Sequence, residues 1–153
     1  MRYGNHPAVI GWQIDNEPGH YGVVDYSENA QIKFRVWLQK KYATIDKLND
    51  TWGTSFWSET YQNFDQVRLP SQQEVPDKPN PHAMLDLNRF MADELAGFVN
   101  MQADILRQHI NKDQWITTNL IPVFNPVDPV RIDHTDFLTY TLSLIHISEP
   151  TRP

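Results

Sequence analysis

The sequence predicts an α/β fold whose strands form one parallel sheet, either open or closed into a (β/α) barrel. Three observations lead to this prediction. A short apolar run near the start of the chain is typical of a buried strand, several segments with helical spacing of apolar residues follow it, and two further strand-like runs come near the end. Strands that alternate with helices pair in parallel, because each crossover returns the chain to the same end of the sheet.

Composition argues against two classes of partner. The 153 residues carry 13 Lys and Arg against 19 Asp and Glu, a net charge of −6, which is the wrong sign for a surface that neutralises phosphates. The sequence contains no run of about eighteen apolar residues that would cross a membrane. We therefore expect neither a nucleic-acid partner nor a membrane partner. The chain has no Cys, which excludes disulfides and thiolate metal ligands.

The first predicted strand runs from Ala8 to Asp15. Its residues are mostly apolar and include β-branched side chains, as is typical of a strand that is buried on both faces. Residues 16–19, Asn-Glu-Pro-Gly, are turn formers, so we expect the strand to end in a loop at this point.

Two helices are predicted next from their caps and their spacing. Ser27 is a suitable N-cap for the first helix, and the apolar residues after it recur every three or four positions. Thr44 caps a second, short helix from Ile45 to Trp52, and Gly53 ends it. The apolar face of the first helix comprises Ala30, Phe34, Trp37, Leu38 and Tyr42.

The region from Thr54 to Pro81 is aromatic and polar, then rich in Pro, and predicts a long excursion that adds no element to the core. Loops of this length are usually functional. Beyond it, the pattern predicts a long helix from about Ala83 to Asn111, a strand over residues 115–120, and an interrupted strand that begins at Phe137.

The last twelve residues, 142–153, look like one translated reading frame of a transposase-type sequencing adapter. A natural tail would have to match the translated adapter at twelve consecutive residues by chance. We therefore predict that this segment is artefactual, and we exclude His146 and Glu149 as site residues. The natural sequence is then expected to run to about Thr141, inside a strand. We expect residues 1–141 to be an interior fragment of a larger domain.

Asn16 and Glu17 are the first candidates for chemistry. In (β/α) barrels the working residues follow the carboxyl ends of the strands, which is where this dipeptide stands. A Glu there can protonate a glycosidic oxygen and later deprotonate a water, while the Asn amide donates to a sugar 2-hydroxyl. A bare Asn-Glu pair is more often a helix cap or a surface charge, and only the buried strand before it favours the catalytic interpretation.

Residues 3–17, YGNHPAVIGWQIDNE, resemble the acid/base strand of the glycoside hydrolase family 42 β-galactosidases. Later segments are similar in order and spacing, so the resemblance extends from about Arg2 to Thr141. These segments are residues 34–38 (FRVWL), 48–49 (LN), 52–58 (WGTSFWS), 85–86 (LD), 89–90 (RF) and 117–119 (TTN).

The resemblance implies both a fold and a site. The chain would hold about strands 4 to 6, with their helices, of a catalytic TIM (β/α)8 barrel. Glu17 would be the acid/base of a retaining β-galactosidase at the end of the fourth strand, with Asn16 as its sugar-binding neighbour. Trp57 would line the pocket, although a buried structural Trp is an equal alternative. Asn119, which ends the fifth strand, is a further candidate for a sugar contact.

The sequence departs from the family pattern at two points. A retaining enzyme needs a second carboxylate about 5 to 5.5 Å from the first. No position matches the family nucleophile, and Glu28, Glu59, Glu74 and Glu94 are better explained as solvated or capping charges. Residues 24–30 replace a Cys cluster that binds zinc in some members, and His20 has no partner ligands, so we predict no metal.

The expected function of the parent protein is hydrolysis of terminal β-D-galactosyl residues, with a galactoside as substrate and no cofactor. This chain alone, without a nucleophile, is expected to be inactive and to aggregate. Two alternatives stay open: another retaining barrel glycosidase of the β-glucosidase or mannosidase type, and a non-catalytic sugar-binding barrel remnant. Family members are often homotrimers and usually cytoplasmic, which only the resemblance suggests.

Overall fold

The computed structural model describes residues 2–19, 24–56, 58–71, 79–121 and 127–141. The chain divides into two compact units, one of residues 1–23 and 92–153 and the other of residues 24–91. The elements in chain order are β1 (Gly11–Gln13), α1 (Glu28–Tyr42), α2 (Ile45–Trp52), a 3-10 turn (Phe64–Gln66), α3 (Pro81–Arg107), β2 (Trp115–Leu120), a second 3-10 turn (Pro129–Arg131) and β3 (Phe137–Tyr140).

The strands of the described chain form one parallel sheet in the order β1-β2-β3, which confirms the predicted α/β class. Gly11 lies opposite Trp115, and Asn119 lies opposite Thr139. The first strand is shorter than the predicted span, residues 8–15, because its ladder with β2 covers only three residue pairs. The prediction that both faces of this strand are buried was also wrong, since Gln13 is exposed.

One face of the sheet packs against the second part of α3. Alternate residues of a strand point to opposite faces, so Ile14, Ile116 and Leu120 enter this core while Gln13 and Asn119 point the other way. The indole of Trp12 packs at the edge of the core and donates to Gln114 Oε1 at 3.0 Å. The residues of α3 in this core are Ala96, Val99, Ala103 and Leu106, and the two small alanines let the helix approach the sheet.

Asp136 fixes the start of β3. Its Oδ2 accepts hydrogen bonds from the backbone N–H of Ile116 and from Arg107, both at 2.6 Å. The hydrogen bond from Arg107, and after it the one from Ile116, lowers the pKa of the Asp136 carboxyl. One carboxylate therefore ties the end of α3 to neighbouring ends of β2 and β3.

The other unit begins with the two predicted helices, and both predicted caps are confirmed. The Ser27 side chain accepts from the N–H of Ala30, and the Thr44 side chain accepts from the N–H of Lys47. Gly53 ends α2 in the left-handed conformation at φ 60°, which costs Gly less than any other residue. Four of the five apolar α1 residues predicted to face the core are buried: Ala30, Phe34, Leu38 and Tyr42.

The prediction that residues 54–81 add nothing to the core was wrong. Phe64, Val67 and Leu69 are buried in the same cluster as α1 and α2. Two α1 side chains satisfy the irregular backbone of this segment. Gln31 donates to Val67 O at 3.1 Å and accepts from Leu69 N at 2.8 Å, and Arg35 donates to Val67 O at 2.9 Å. Buried backbone groups need such partners, and a hydrophobicity pattern does not reveal them.

α3 is the longest helix and begins at an Asn cap. Asn80 Oδ1 accepts from the N–H groups of His82 at 3.0 Å and Ala83 at 3.4 Å, and Pro81 supplies a fixed φ at the first position. The helix ends at Arg107, four residues before the predicted end. Across the described ranges, no helix combines the length and the apolar character needed to cross a membrane.

Candidate active site

The candidate site lies in the loop that leaves the carboxyl end of β1. Ile14 is buried and anchors the chain, after which Asn16 is exposed and Glu17 is half-buried. Asp15 has φ 54° and Glu17 has φ 50°, so both lie in the left-handed region. Asp tolerates that region, but for Glu it is uncommon, and the following Pro18 restricts it further. Strain of this kind is characteristic of functional loops that the surrounding structure holds in place.

Asn119, the fifth residue of β2, holds this loop. Its Oδ1 accepts from the backbone N–H of Glu17 at 3.2 Å and from Gln13 Nε2 at 2.9 Å. Its Nδ2 donates to Asn16 Oδ1 at 3.2 Å and to Thr141 Oγ1 at 2.9 Å. One amide thus joins the ends of all three strands of the sheet to the Asn-Glu pair.

Asp15 gives the loop a second attachment. Its Oδ1 accepts from the backbone N–H of Asn16 at 2.8 Å, and its Oδ2 accepts from Gln102 of α3 at 3.4 Å. The Asp15 carboxylate thus bonds the N–H group of the residue that directly follows it, while the Asp15 backbone lies in the left-handed region. The loop is therefore fixed both to the sheet and to the helix behind it.

The structure brings together three of the four residues that the sequence predicts for the site: Asn16, Glu17 and Asn119. The fourth, Trp57, lies outside the described residues. Sequence reasoning missed Gln13 and Thr141. The sequence offered no signal for them, because only the register of the folded sheet places residues on the same face of neighbouring strand ends side by side.

The other carboxylates considered from the sequence take separate positions. Glu28 begins α1, Glu59 lies in the segment after α2, and Glu94 lies within α3. Glu74 and His20 lie outside the described residues. A nucleophile is therefore still unassigned in this chain.

Among the residues that the structure describes, no three His, Asp or Glu side chains are grouped closely enough to hold a metal ion. Asp25, within residues 24–30, caps the turn before α1. Its Oδ1 accepts from the N–H of Ser27 at 2.8 Å, and its Oδ2 accepts from the Ser27 hydroxyl at 3.1 Å. The absence of a metal in the protein stays a prediction.

A cavity of about 380 Å³ opens in the unit of residues 24–91, where Tyr61 and Arg68 are among its walls. Trp52 and Asn80 also line it. The Asn80 side chain is already hydrogen-bonded within the protein, because it donates to Trp52 O and caps α3. None of Asn16, Glu17 and Asn119 lines this cavity. The candidate site is therefore the strand-end loop and not this cavity.

The chain is similar to known β-galactosidases over most of its length. The sequence model of glycoside hydrolase family 42, described as beta-galactosidase, matches residues 1–150. Beta-galactosidase BgaA of a Thermus species is 43% identical over 128 residues, which are 83% of this chain and 19% of that protein. The chain thus spans about a fifth of the length of this curated relative.

Solved structures agree with the sequence comparison. The beta-galactosidase of the psychrophilic Marinomonas ef1 superimposes with a TM-score of 0.85 at 36% identity, over 93% of this chain and 22% of that one. The polyextremophilic beta-galactosidase of the haloarchaeon Halorubrum lacusprofundi superimposes with a TM-score of 0.84 at 32% identity, over 93% and 21% of the two chains. At these identities the likeness extends beyond the fold to the family.

Proposed function

The chain belongs to glycoside hydrolase family 42, the beta-galactosidases, and from this membership we propose that its parent protein hydrolyses terminal β-D-galactosyl residues with retention. Glu17 is the acid/base in this proposal. The observation that supports it best is the conformation of Glu17 itself. Glu17 has φ 50°, donates its N–H to Asn119 Oδ1 and follows the carboxyl end of a parallel strand. A conformation of this kind in a strand-end loop supports a catalytic role for it.

The proposed reaction has two steps, and Glu17 acts in both. As a carboxylic acid it protonates the glycosidic oxygen while a nucleophilic carboxylate attacks the anomeric carbon and the aglycone leaves. As a carboxylate it then takes a proton from water, which attacks the galactosyl ester and releases galactose. The nucleophile comes from another part of the parent protein.

Asn16 is the proposed partner of the sugar 2-hydroxyl. Asn119 donates to Asn16 Oδ1, which fixes the orientation of the Asn16 amide. The Nδ2 of Asn16 is then the group of that amide that donates to a sugar oxygen. A hydrogen bond to the 2-hydroxyl strengthens as the oxocarbenium-like transition state forms, so it contributes to rate and not only to binding.

Further parts of the proposal concern the parent protein as a whole. Residues 1–141 are proposed to form about strands 4 to 6, with their helices, of a catalytic (β/α)8 barrel. Residues 142–153 are proposed to be an artefactual tail, even though the match to the family model extends to residue 150. Trp57 is proposed to line the galactoside pocket, with a structural role as the equal alternative. The parent assembles as a homotrimer and takes a galactoside as its partner, with no nucleic acid and no membrane. Closing such a barrel needs about 250 residues, more than this chain supplies.

The first experiment recovers the complete coding sequence from source DNA with primers that avoid the adapter-like region. We expect the open reading frame to continue past Thr141 into further barrel strands, with a Glu at the end of a later one. A frame that stops soon after Thr141 in clean reads, or a completed barrel without that Glu, would contradict the enzymatic proposal and favour a sugar-binding remnant.

The second experiment replaces the acid/base in the complete enzyme. We expect Glu17→Gln to lower kcat/KM for phenyl β-galactoside by about 10² to 10⁴, because that leaving group needs a proton. The loss should be much smaller for 2,4-dinitrophenyl β-galactoside, whose leaving group departs without one. Glu28→Gln, at the start of α1, is the matched control with no expected effect. Preference for aryl glucosides or mannosides over galactosides would contradict the substrate assignment.

A further inference from the structure

We propose that Asn119 is a positioning residue that holds the acid/base Glu17 in its working conformation, in place of the sugar contact that its position at a strand end suggests. The inference rests on the proposed role of Glu17. It concerns how this loop is held, and it extends to Gln13 and Thr141, which share the Asn119 amide.

The first argument is that the Asn119 amide is fully occupied by protein groups. An Asn side chain accepts two hydrogen bonds at its oxygen and donates two from its nitrogen. Asn119 Oδ1 accepts from Glu17 N and Gln13 Nε2, and Asn119 Nδ2 donates to Asn16 Oδ1 and Thr141 Oγ1. A sugar hydroxyl would have to displace one of these partners, so binding through Asn119 would break the support of the site.

The second argument comes from the backbone of Glu17. Its φ of 50° is unfavourable for a side chain with a Cβ, and more so before Pro18. Such a conformation persists only where neighbouring groups fix it. The hydrogen bond from Glu17 N to Asn119 Oδ1 acts on the strained residue itself. Loss of this bond removes one restraint that opposes rotation toward negative φ, and such a rotation would displace the Glu17 side chain.

The third argument is that the Asn119 side chain belongs to a strand of the sheet and not to a loop. Asn119 belongs to β2, the central strand, and is paired with Thr139 on β3. A side chain on a central strand is more rigidly placed than one on a loop. Asn119 therefore transmits the position of the sheet to the loop. A misplacement of about 1 Å in a catalytic group can lower a rate about 100-fold.

The test measures kcat/KM in the complete enzyme for a series of aryl β-galactosides whose leaving groups differ in pKa. Asn119→Ala is expected to lower kcat/KM about 100-fold for the phenyl galactoside and less than about 10-fold for the 2,4-dinitrophenyl galactoside. The larger loss reflects poor protonation by a displaced Glu17. A residue that only contacts galactose would give the same loss for every leaving group, because the glycone is common to the series.

Thr141→Val keeps the shape of the side chain and removes one of the four partners of Asn119. It is expected to produce the same leaving-group dependence with a smaller loss, about fivefold for the phenyl galactoside. This variant keeps the inference testable if Asn119→Ala does not fold. Asn88→Ala, an exposed Asn of α3, is the matched control with unchanged rates. A uniform loss across the series, or no loss in Thr141→Val, overturns the positioning role.

Glu17→Gln, measured on the same series, separates the two possible failures. If Glu17→Gln shows no leaving-group dependence, the acid/base assignment itself fails. If Glu17→Gln shows it and Asn119→Ala does not, only the positioning role of Asn119 fails.

Discussion

Asp86 is a heavily bonded side chain in the unit formed by residues 24–91. Its carboxylate is 1% exposed and accepts from Tyr42 at 2.5 Å, from the Trp52 indole at 3.0 Å and from Arg89 at 3.2 Å, and it also pairs with Lys41. The Lys41 ammonium in turn lies 4.9 Å from the Trp37 ring centroid. A buried charge is tolerated only with such partners, and removing one side of the arrangement leaves the other side uncompensated.

We predict that Asp86→Asn destabilises the complete enzyme by about 3 kcal/mol. The amide keeps the shape but removes the charge that Lys41 and Arg89 face, and its NH2 group points at donors. Thermal melting measures the change as a fall of several degrees. Asp113→Asn, at an exposed turn, is the matched control. Equal melting temperatures for the two variants would contradict this account of Asp86.

The same network predicts how stability depends on pH. Burial alone would raise the pKa of Asp86, but the hydrogen bonds from Lys41, Tyr42 and Trp52 outweigh it, and the net pKa is lowered. The stabilising contribution of Asp86 is therefore complete above about pH 4 and is lost as the pH falls through its folded pKa. Burial, and then the hydrogen bond to Asp86, raises the pKa of Tyr42 to about 12. The Tyr42 contribution is complete below about pH 10 and is lost at higher pH.

Melting temperature measured against pH checks both limits of that window. Tyr42→Phe should reduce the alkaline loss and keep most of the acid loss. Part of the alkaline loss should persist, because burial also raises the pKa of Tyr61. A variant that still loses stability between about pH 10 and 12, to the same extent as the parent, would refute the assignment to Tyr42.

At the residue scale, the sequence identified the chemical candidates but not their supports. Asn16 and Glu17 were predictable because the dipeptide follows a recognisable strand and matches a family motif. The bonds from Asn119 to Gln13 and Thr141 were not, because they join residues 106 and 22 positions apart and depend on sheet register.

At the scale of elements, the pairing of β1 and β2 depends on the absence of a side chain at Gly11. A Cβ added there would lie 2.0 Å from Cδ2 of the Trp115 ring, its partner in the ladder. The Trp115 ring also contacts Phe137 of β3, with ring centroids 5.2 Å apart. The absence of a side chain at Gly11 thus leaves room for the Trp115 ring, which packs against Phe137.

We predict that Gly11→Ala destabilises the complete enzyme by about 1 to 3 kcal/mol, because the methyl group must displace the Trp115 ring. Gly97→Ala is the matched control, for which we expect a change in stability of the opposite sign. Gly97 lies within α3 with nothing within 4 Å of an added Cβ, so Ala should stabilise the helix by about 0.5 to 1 kcal/mol. Melting temperatures that move in the same direction for both variants would contradict the contact argument.

Elements whose signals are local were predicted closely. α2 begins at Ile45 and ends at Trp52 as expected, because Thr44 and Gly53 act on adjacent backbone groups. The length of β1 was not predicted, since the ladder depends on a partner about 100 residues away. The core position of residues 64–69 was missed for the same reason, because α1 side chains satisfy that backbone.

At the scale of the whole molecule, the outer strands of the sheet shape the behaviour of the isolated chain. Within the part of the chain that the structure describes, β1 and β3 each pair on one side only. Ile10 is 71% exposed and Tyr140 is 50% exposed beside these edges. Unpaired edges with apolar neighbours are templates for association between copies.

We predict that the isolated chain aggregates and does not hydrolyse aryl galactosides, whereas the complete enzyme is monodisperse. Tyr140→Lys should reduce aggregation of the isolated chain, because an edge Lys opposes strand pairing. It should destabilise the complete enzyme if, as in the proposed barrel, a further strand pairs with β3. Size-exclusion chromatography and light scattering measure both effects. A soluble isolated chain that melts cooperatively would contradict the prediction.

Gln31 has a consequence for how this protein varies among its relatives. The Gln31 amide donates to Val67 O and accepts from Leu69 N. The residue at position 31 of α1 and the backbone conformation of residues 67–69 therefore depend on each other. A substitution at position 31 changes which loop conformations are tolerated, so the two segments should covary across the family. A loop grafted from another member should fold only when the residues at positions 31 and 35 are transferred with it.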